Sequence, residues 1–222
     1  AFRRSRDEQS DVGAISARLR LGEQVAEKLD GPKYDKARFE NALSEIRGLT
    51  CTAPEFFEPR MRELLRDAGV LLALVPAIPR AHVSGVARWL NPTRPLIQLS
   101  LYGKTNDKFW FTFFHEAAHI LLHADSKEAK KSIFLDDPNA NHSPDPREQE
   151  ANQWAGNVLI PQAYSRALGT LRTKEAVRAF ATSIGIHPGI VVGRLQHDHI
   201  IDPSWMNDLK LSFRFTAENP DA

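Results

Sequence analysis

Apolar positions recur at helical spacing near the start of the chain: Ile15, Leu19, Leu21, Val25 and Leu29 define a helix over residues 13–29, which Gly31-Pro32 stops. Phe39, Leu43 and Ile46 predict a second helix ending near Gly48. Phe56, Phe57, Met61, Leu64 and Leu65 predict a third over Pro54 to Ala68, with Gly69 just past its end. The period then changes. Val70 to Val75 is continuously apolar, as in a buried strand. Val83 to Leu90 alternates loosely up to a turn at Asn91-Pro92. Leu96 to Leu101 alternates strictly, with Ile97, Leu99 and Leu101 set against Gln98 and Ser100. Three strands joined by short turns predict a small, mostly antiparallel sheet.

Asp107 to His123 is a helix with apolar residues on most of its circumference (Phe109, Trp110, Phe113, Phe114, Ile120, Leu121), so burial is expected nearly all round. Residues 124–146 are polar with three prolines and read as a long loop. A helix follows over Pro146 to Leu159, bounded by Pro161, and two more over Thr173 to Ile184 and Gly189 to Gln196. The fold class is therefore α+β, with the sheet packed on a central helix and a helical C-terminal half. The expected divisions are an N-terminal helical segment and linker (1–69), the core (70–201) and a tail (202–222).

Composition narrows the function. In 222 residues there are 29 Lys plus Arg against 28 Asp plus Glu, a formal net charge of +1. Bulk charge thus gives no reason for nucleic-acid binding; Arg3, Arg4 and Arg6 form a small basic cluster. The single cysteine, Cys51, excludes an internal disulfide and any paired-cysteine zinc site. No apolar run approaches the ~20 residues that span a bilayer, and the first residues hold no signal core. A cytoplasmic protein without membrane attachment is expected. The chain begins with Ala1, which leaves a preceding domain possible.

The chemistry lies in the central helix. His115 and His119 are four apart, so both imidazoles leave one face and can ligate one Zn²⁺. Glu116 lies beside them as a non-ligating base for an attacking water, the logic of His-Glu-x-x-His. The same spacing also describes two ordinary histidines on a helix. A catalytic zinc needs a third protein ligand. The candidates are His123, Asp125, Asp136, Asp137, His142, Glu148 and Glu150. His123 is two turns from His115 and reads as a structural residue at the helix end, where a cation suits the dipole. Glu148 shares the inward face of its helix with Ala151 and Ala155, whereas Glu150 points about 200° away at 100° per residue. Glu148 is therefore the expected third ligand, with Asn152 one turn on as its support.

The segment Phe111 to His123 resembles the active-site helix of the ImmA/IrrE metallopeptidase family. Glu148 to Ala155 followed by Leu159-Ile160-Pro161 resembles that family's third-ligand helix, in which a Glu, an Asn four later and a closing Pro mark the ligand. The likeness covers roughly residues 70–200. Ala118 stands where many members carry Gly, and Trp154 where Phe is usual; both changes are mild. Val83 to Trp89 and Pro188 to Gln196 are similar to a subgroup fused behind a HigA-like antitoxin helix-turn-helix domain. No such domain is evident here, so nucleic acid would be reached only through a domain absent from this chain. The resemblance implies a zincin-like fold, Zn²⁺ on His115, His119 and Glu148, catalysis by Glu116, and a protein substrate of the helix-turn-helix repressor or antitoxin type whose cleavage releases stress or mobile-element genes.

Two other readings stand beside this one. One is a non-catalytic zinc-containing regulator that binds a partner without cutting it. The other is a closed structural zinc site with His142 as fourth ligand. For the oxyanion, Tyr102, His187, Arg194 and His197 are candidates that the sequence does not rank. The strand Val83 to Leu90 is expected to offer its edge to a peptide, with Gly85 easing approach, and Pro188 to Gln196 to add partner contacts.

Overall fold

The computed structural model describes residues 11–79, 81, 83–100, 105–124, 133–136 and 145–213. Three helices come first: α1 (Val12–Glu27), α2 (Lys36–Gly48) and α3 (Pro54–Asp67). Asp11 and Asp35 open the first two by accepting hydrogen bonds from Gly13 N (2.7 Å) and Arg38 N (2.9 Å), satisfying amides that a helix start leaves without partners. Gly69 closes α3 at φ +77°, a left-handed conformation that disfavours any side chain.

The strands are β1 (Leu71–Leu74), β2 (Gly85–Asn91), β3 (Arg94–Leu99) and β4 (Ile133–Asp136), and α4 (Asn106–Leu122) lies between the last two in sequence. The sheet order is β1-β3-β2-β4. β2 and β3 form an antiparallel hairpin with Ala87 opposite Ile97, and β4 adds antiparallel to β2 with Ala87 opposite Phe134. β1 pairs parallel with β3, Leu72 opposite Ile97.

The sheet is mostly antiparallel, as the alternation predicts, but differs in two respects. It has a fourth strand, inside the segment expected to be a loop. The apolar run Ile133 to Leu135 is too short to show a period, and its partner β2 lies more than forty residues earlier. Also, β1 neighbours β3 instead of following into a hairpin with β2. Alternation fixes which face a residue takes, not which strand lies beside it.

Both sheet faces are covered. Leu72, Ala87, Ile97 and Leu99 join the main core with Trp110, Phe113, Phe114 and Ala117 of α4. Leu71, Ala73 and Leu96 pack with Ala26 of α1, and Val86 packs with Ile15. Hydrogen bonds tie α1 to that outer face: Gln98 Nε2 donates to Arg18 O (2.6 Å), Arg18 Nη2 to Ser84 O (3.1 Å) and Arg88 Nη2 to Leu19 O (3.0 Å).

α4 is buried nearly all round, and Trp110, Phe113 and Phe114 are fully enclosed. Each buried phenylalanine contributes about 1.5–3 kcal/mol relative to exposure. The helical half follows: α5 (Pro146–Leu159), the short α6 (Ser165–Leu168), α7 (Lys174–Ile184) and α8 (Pro188–His197). Arg47 of α2 donates to Val158 O (2.7 Å) and Leu159 O (3.0 Å), satisfying the last carbonyls of α5. α8 is a core helix, with Gly189, Ile190, Val191, Val192 and Leu195 buried, so most of the segment expected to meet a partner is spent on packing. Among the described residues no single helix is long and apolar enough to cross a membrane.

Candidate metal centre

The site lies between α4 and α5. Residues four apart on α4 present the two imidazoles side by side, with ring centroids 4.7 Å apart. Asp145 fixes the start of α5 by accepting from Arg147 N (2.9 Å), which sets the helical phase of its first turn. Ala151, Ala155 and Leu159 are the buried face of that helix, and the two alanines let it approach α4 closely. Glu148 therefore lies over the histidines.

His115, His119 and Glu148 each offer a donor atom, and these atoms all lie within 4.8 Å of one another. The two Nε2 atoms are 3.0 Å apart. One Glu148 oxygen is 3.2 Å from His115 Nε2 and the other 3.4 Å from His119 Nε2. Ligands held tetrahedrally at about 2.0–2.1 Å from one zinc ion lie about 3.3 Å from each other. The distance between the two imidazole nitrogens, and that from each carboxylate oxygen to the ring it faces, fall within a few tenths of an ångström of that spacing, so the three groups could hold one metal ion.

Their protonation suits the same role. Burial lowers His119 to about 4, outweighing the opposing pull of the Glu148 carboxylate, so the ring is neutral near pH 7. Burial pushes Glu148 up, but its close contacts with the His115 and His119 rings more than reverse it, and the carboxyl stands at about 2. A neutral imidazole and an ionised carboxylate are the forms that bind a cation.

Outer contacts orient the ligands. His115 Nδ1 is 2.9 Å from Asn152 Oδ1. An amide oxygen only accepts, so Nδ1 carries the proton and Nε2 presents its lone pair to the site. Asn152 thus supports His115, not Glu148 as expected from its place on α5. Glu150 turns away from the centre and meets His123 instead, Oε2 to Nε2 at 3.1 Å, while His123 Nδ1 is 3.0 Å from His119 Nδ1. Helical phase on either helix alone does not show that pair of contacts. Its signal was present in the repeated spacing of four from His115 to His119 to His123.

Glu116 is fully buried on α4, against β2. A Cβ added to Gly85 would stand 2.3 Å from Glu116 Oε1 and 2.6 Å from Thr112 Cγ2, so the glycine makes room for these side chains. This corrects the expectation that Gly85 eases the approach of a peptide. β2 is also no edge: it is paired on one side with β3 and on the other with β4.

Among the oxyanion candidates, Tyr102 lies outside the described residues, as does His142, the proposed fourth ligand of a closed site. His187 caps α8, its Nδ1 accepting from Gly189 N (3.0 Å) and facing Asn106 Nδ2 (2.8 Å). Arg194 Nε donates to Asp198 Oδ2 (2.6 Å), and the largely exposed His197 ring meets the same carboxylate. All three side chains are engaged in these local contacts. Of the other ligand candidates, Asp125 and Asp137 also fall outside the described residues, and Asp136 belongs to β4.

The model of a peptidase family described as the IrrE N-terminal-like domain matches residues 78–196, just over half of the chain and both helices of this centre. No curated protein gives a significant match.

Proposed function

Because the chain belongs to the IrrE N-terminal-like peptidase family, we propose that it is a zinc-dependent endopeptidase that cleaves a protein partner. The observation that carries this reading is the donor cluster of His115, His119 and Glu148: the two Nε2 atoms are 3.0 Å apart, and the two Glu148 oxygens lie 3.2 Å from His115 Nε2 and 3.4 Å from His119 Nε2, spacings that suit one tetrahedral ion. Two imidazoles and one carboxylate are the protein ligands of a catalytic zinc that keeps a fourth position for water or substrate. Bound there, Zn²⁺ would act as a Lewis acid on the scissile carbonyl and lower the pKa of a water toward ~7.

The chain's own residues supply the rest. Glu116, directly after the first ligand, takes the proton of the attacking water and returns it to the leaving amine. Its burial against β2 holds the carboxylate in place and excludes bulk water. β4 has no further strand on its outer side among the described residues, so an extended peptide would pair there rather than on β2. The resemblance of the motif segments favours a helix-turn-helix repressor or antitoxin-type regulator as the partner, in a cytoplasmic setting.

The test is to incubate zinc-loaded protein with regulators encoded beside it and look for a discrete fragment. The expected result is one cut in one regulator, absent when Glu116 is glutamine. Tight binding to a regulator without any cut would support the non-catalytic alternative.

A further inference from the structure

We propose that His123 and Glu150 are positioning residues for the metal centre, forming a relay from Glu150 through His123 to His119 that fixes which nitrogen of His119 faces the metal and strengthens it as a ligand. This rests on the metal reading above and names residues outside the ligand set.

His123 directly follows α4, one turn beyond His119, and its ring is buried against it, centroids 5.1 Å apart. The two Nδ1 atoms face each other at 3.0 Å. Such a contact holds only if one nitrogen carries a proton and the other a lone pair. The far side of His123 sets the order: its Nε2 is 3.1 Å from Glu150 Oε2, and a carboxylate oxygen accepts. With its Nε2 donating to that carboxylate, the ring's Nδ1 is left as the acceptor. His119 Nδ1 must donate to it, and His119 Nε2 keeps the lone pair that points at His115 and Glu148.

α5 therefore serves the centre in three ways from its first two turns. Glu148 enters the ligand triangle, Asn152 orients His115, and Glu150 orients His119 through His123. The two supports differ in kind. His115 donates to a neutral amide, whereas the chain behind His119 ends on a carboxylate, which polarises both rings and makes His119 Nε2 the more basic donor. Glu150 reaches this position from the surface, with 61% of its side chain exposed. It can be changed without opening the core.

The measurement is Zn²⁺ affinity of the full chain by competition with a chromophoric chelator, together with the visible spectrum of the Co²⁺ form. Loss of an outer-shell partner costs about 10–100-fold in metal affinity. Glu150→Ala and His123→Phe should each weaken Zn²⁺ within that range and shift the Co²⁺ bands. Glu150→Gln keeps an accepting oxygen without the charge, and its loss should fall between wild type and Glu150→Ala. The double variant His123→Phe/Glu150→Ala should be no weaker than His123→Phe alone, because both remove one relay. Gln153→Ala, an exposed change on the same helix, should match wild type. Should His123→Phe fail to fold, the Glu150 series still decides. Wild-type affinity and an unshifted Co²⁺ spectrum in Glu150→Ala would overturn the relay while leaving the metal site standing. A wild-type chain that takes up no Zn²⁺ would overturn the metal reading and the relay with it.

Discussion

Replacing Glu116 with glutamine is expected to leave metal binding intact and to lower peptide hydrolysis by about 10²–10⁴-fold, the range contributed by a positioned general base. Glutamine has the same shape, so the packing against Gly85 and Thr112 survives. What is lost is the ability to accept a proton. Glu116 is not in the donor triangle, and His115, His119 and Glu148 remain to hold the ion. The check is kcat on a cleavable partner together with metal content of the same sample. A loss of metal in this variant would mean that Glu116 is a ligand. Activity near wild type would remove it from the chemistry.

The second large effect is expected at a residue with no side chain. In Gly85→Ala the new methyl would lie 2.3 Å from Glu116 Oε1, 2.6 Å from Thr112 Cγ2 and 2.7 Å from Glu116 Cγ. Something must move. β2 is held on both sides, by β3 and by β4, so the strand has little room to retreat and Glu116 gives way. Displacing a catalytic group by about 1 Å costs on the order of 10²-fold in rate, and overpacking costs about 1–3 kcal/mol of stability. Kinetics and thermal melts of Gly85→Ala should show both, with metal affinity unchanged. A variant as active as wild type would show that the carboxylate is not held by this contact. The expected order, glutamine at 116 retaining stability and alanine at 85 losing some, separates lost chemistry from lost geometry.

Helical phase was the most legible feature of the sequence. The spacing of four put His115 and His119 on one face, and counting back from Ala151 and Ala155 put Glu148, not Glu150, over them; the structure brings those three together. The apolar circumference of residues 107–123 announced the buried helix α4. These features are local, set by 3.6 residues per turn. What could not be read was long-range. β4 is four residues in a polar stretch, and only pairing with β2 makes it a strand. β2 itself looked like a free edge because nothing in its own residues shows what lies beside it. Gly85 was legible as a place of close approach, but the approaching group is Glu116, thirty-one residues later. His123 lies two turns from His115 but in register with His119, and its contact with Glu150 depends on α5 packing against α4.

One metal ion held by two α4 histidines and a first-turn glutamate of α5 is the feature on which the proposed chemistry depends. Native mass spectrometry of wild type, Glu148→Ala and Glu150→Ala, each exposed to equal Zn²⁺ and then washed by buffer exchange, tests it most directly. About one ion per wild-type chain is expected, almost none on Glu148→Ala, and an ion still present, though more weakly held, on Glu150→Ala. Metal retained by Glu148→Ala and lost from Glu150→Ala, or no metal on the wild-type chain, would contradict it.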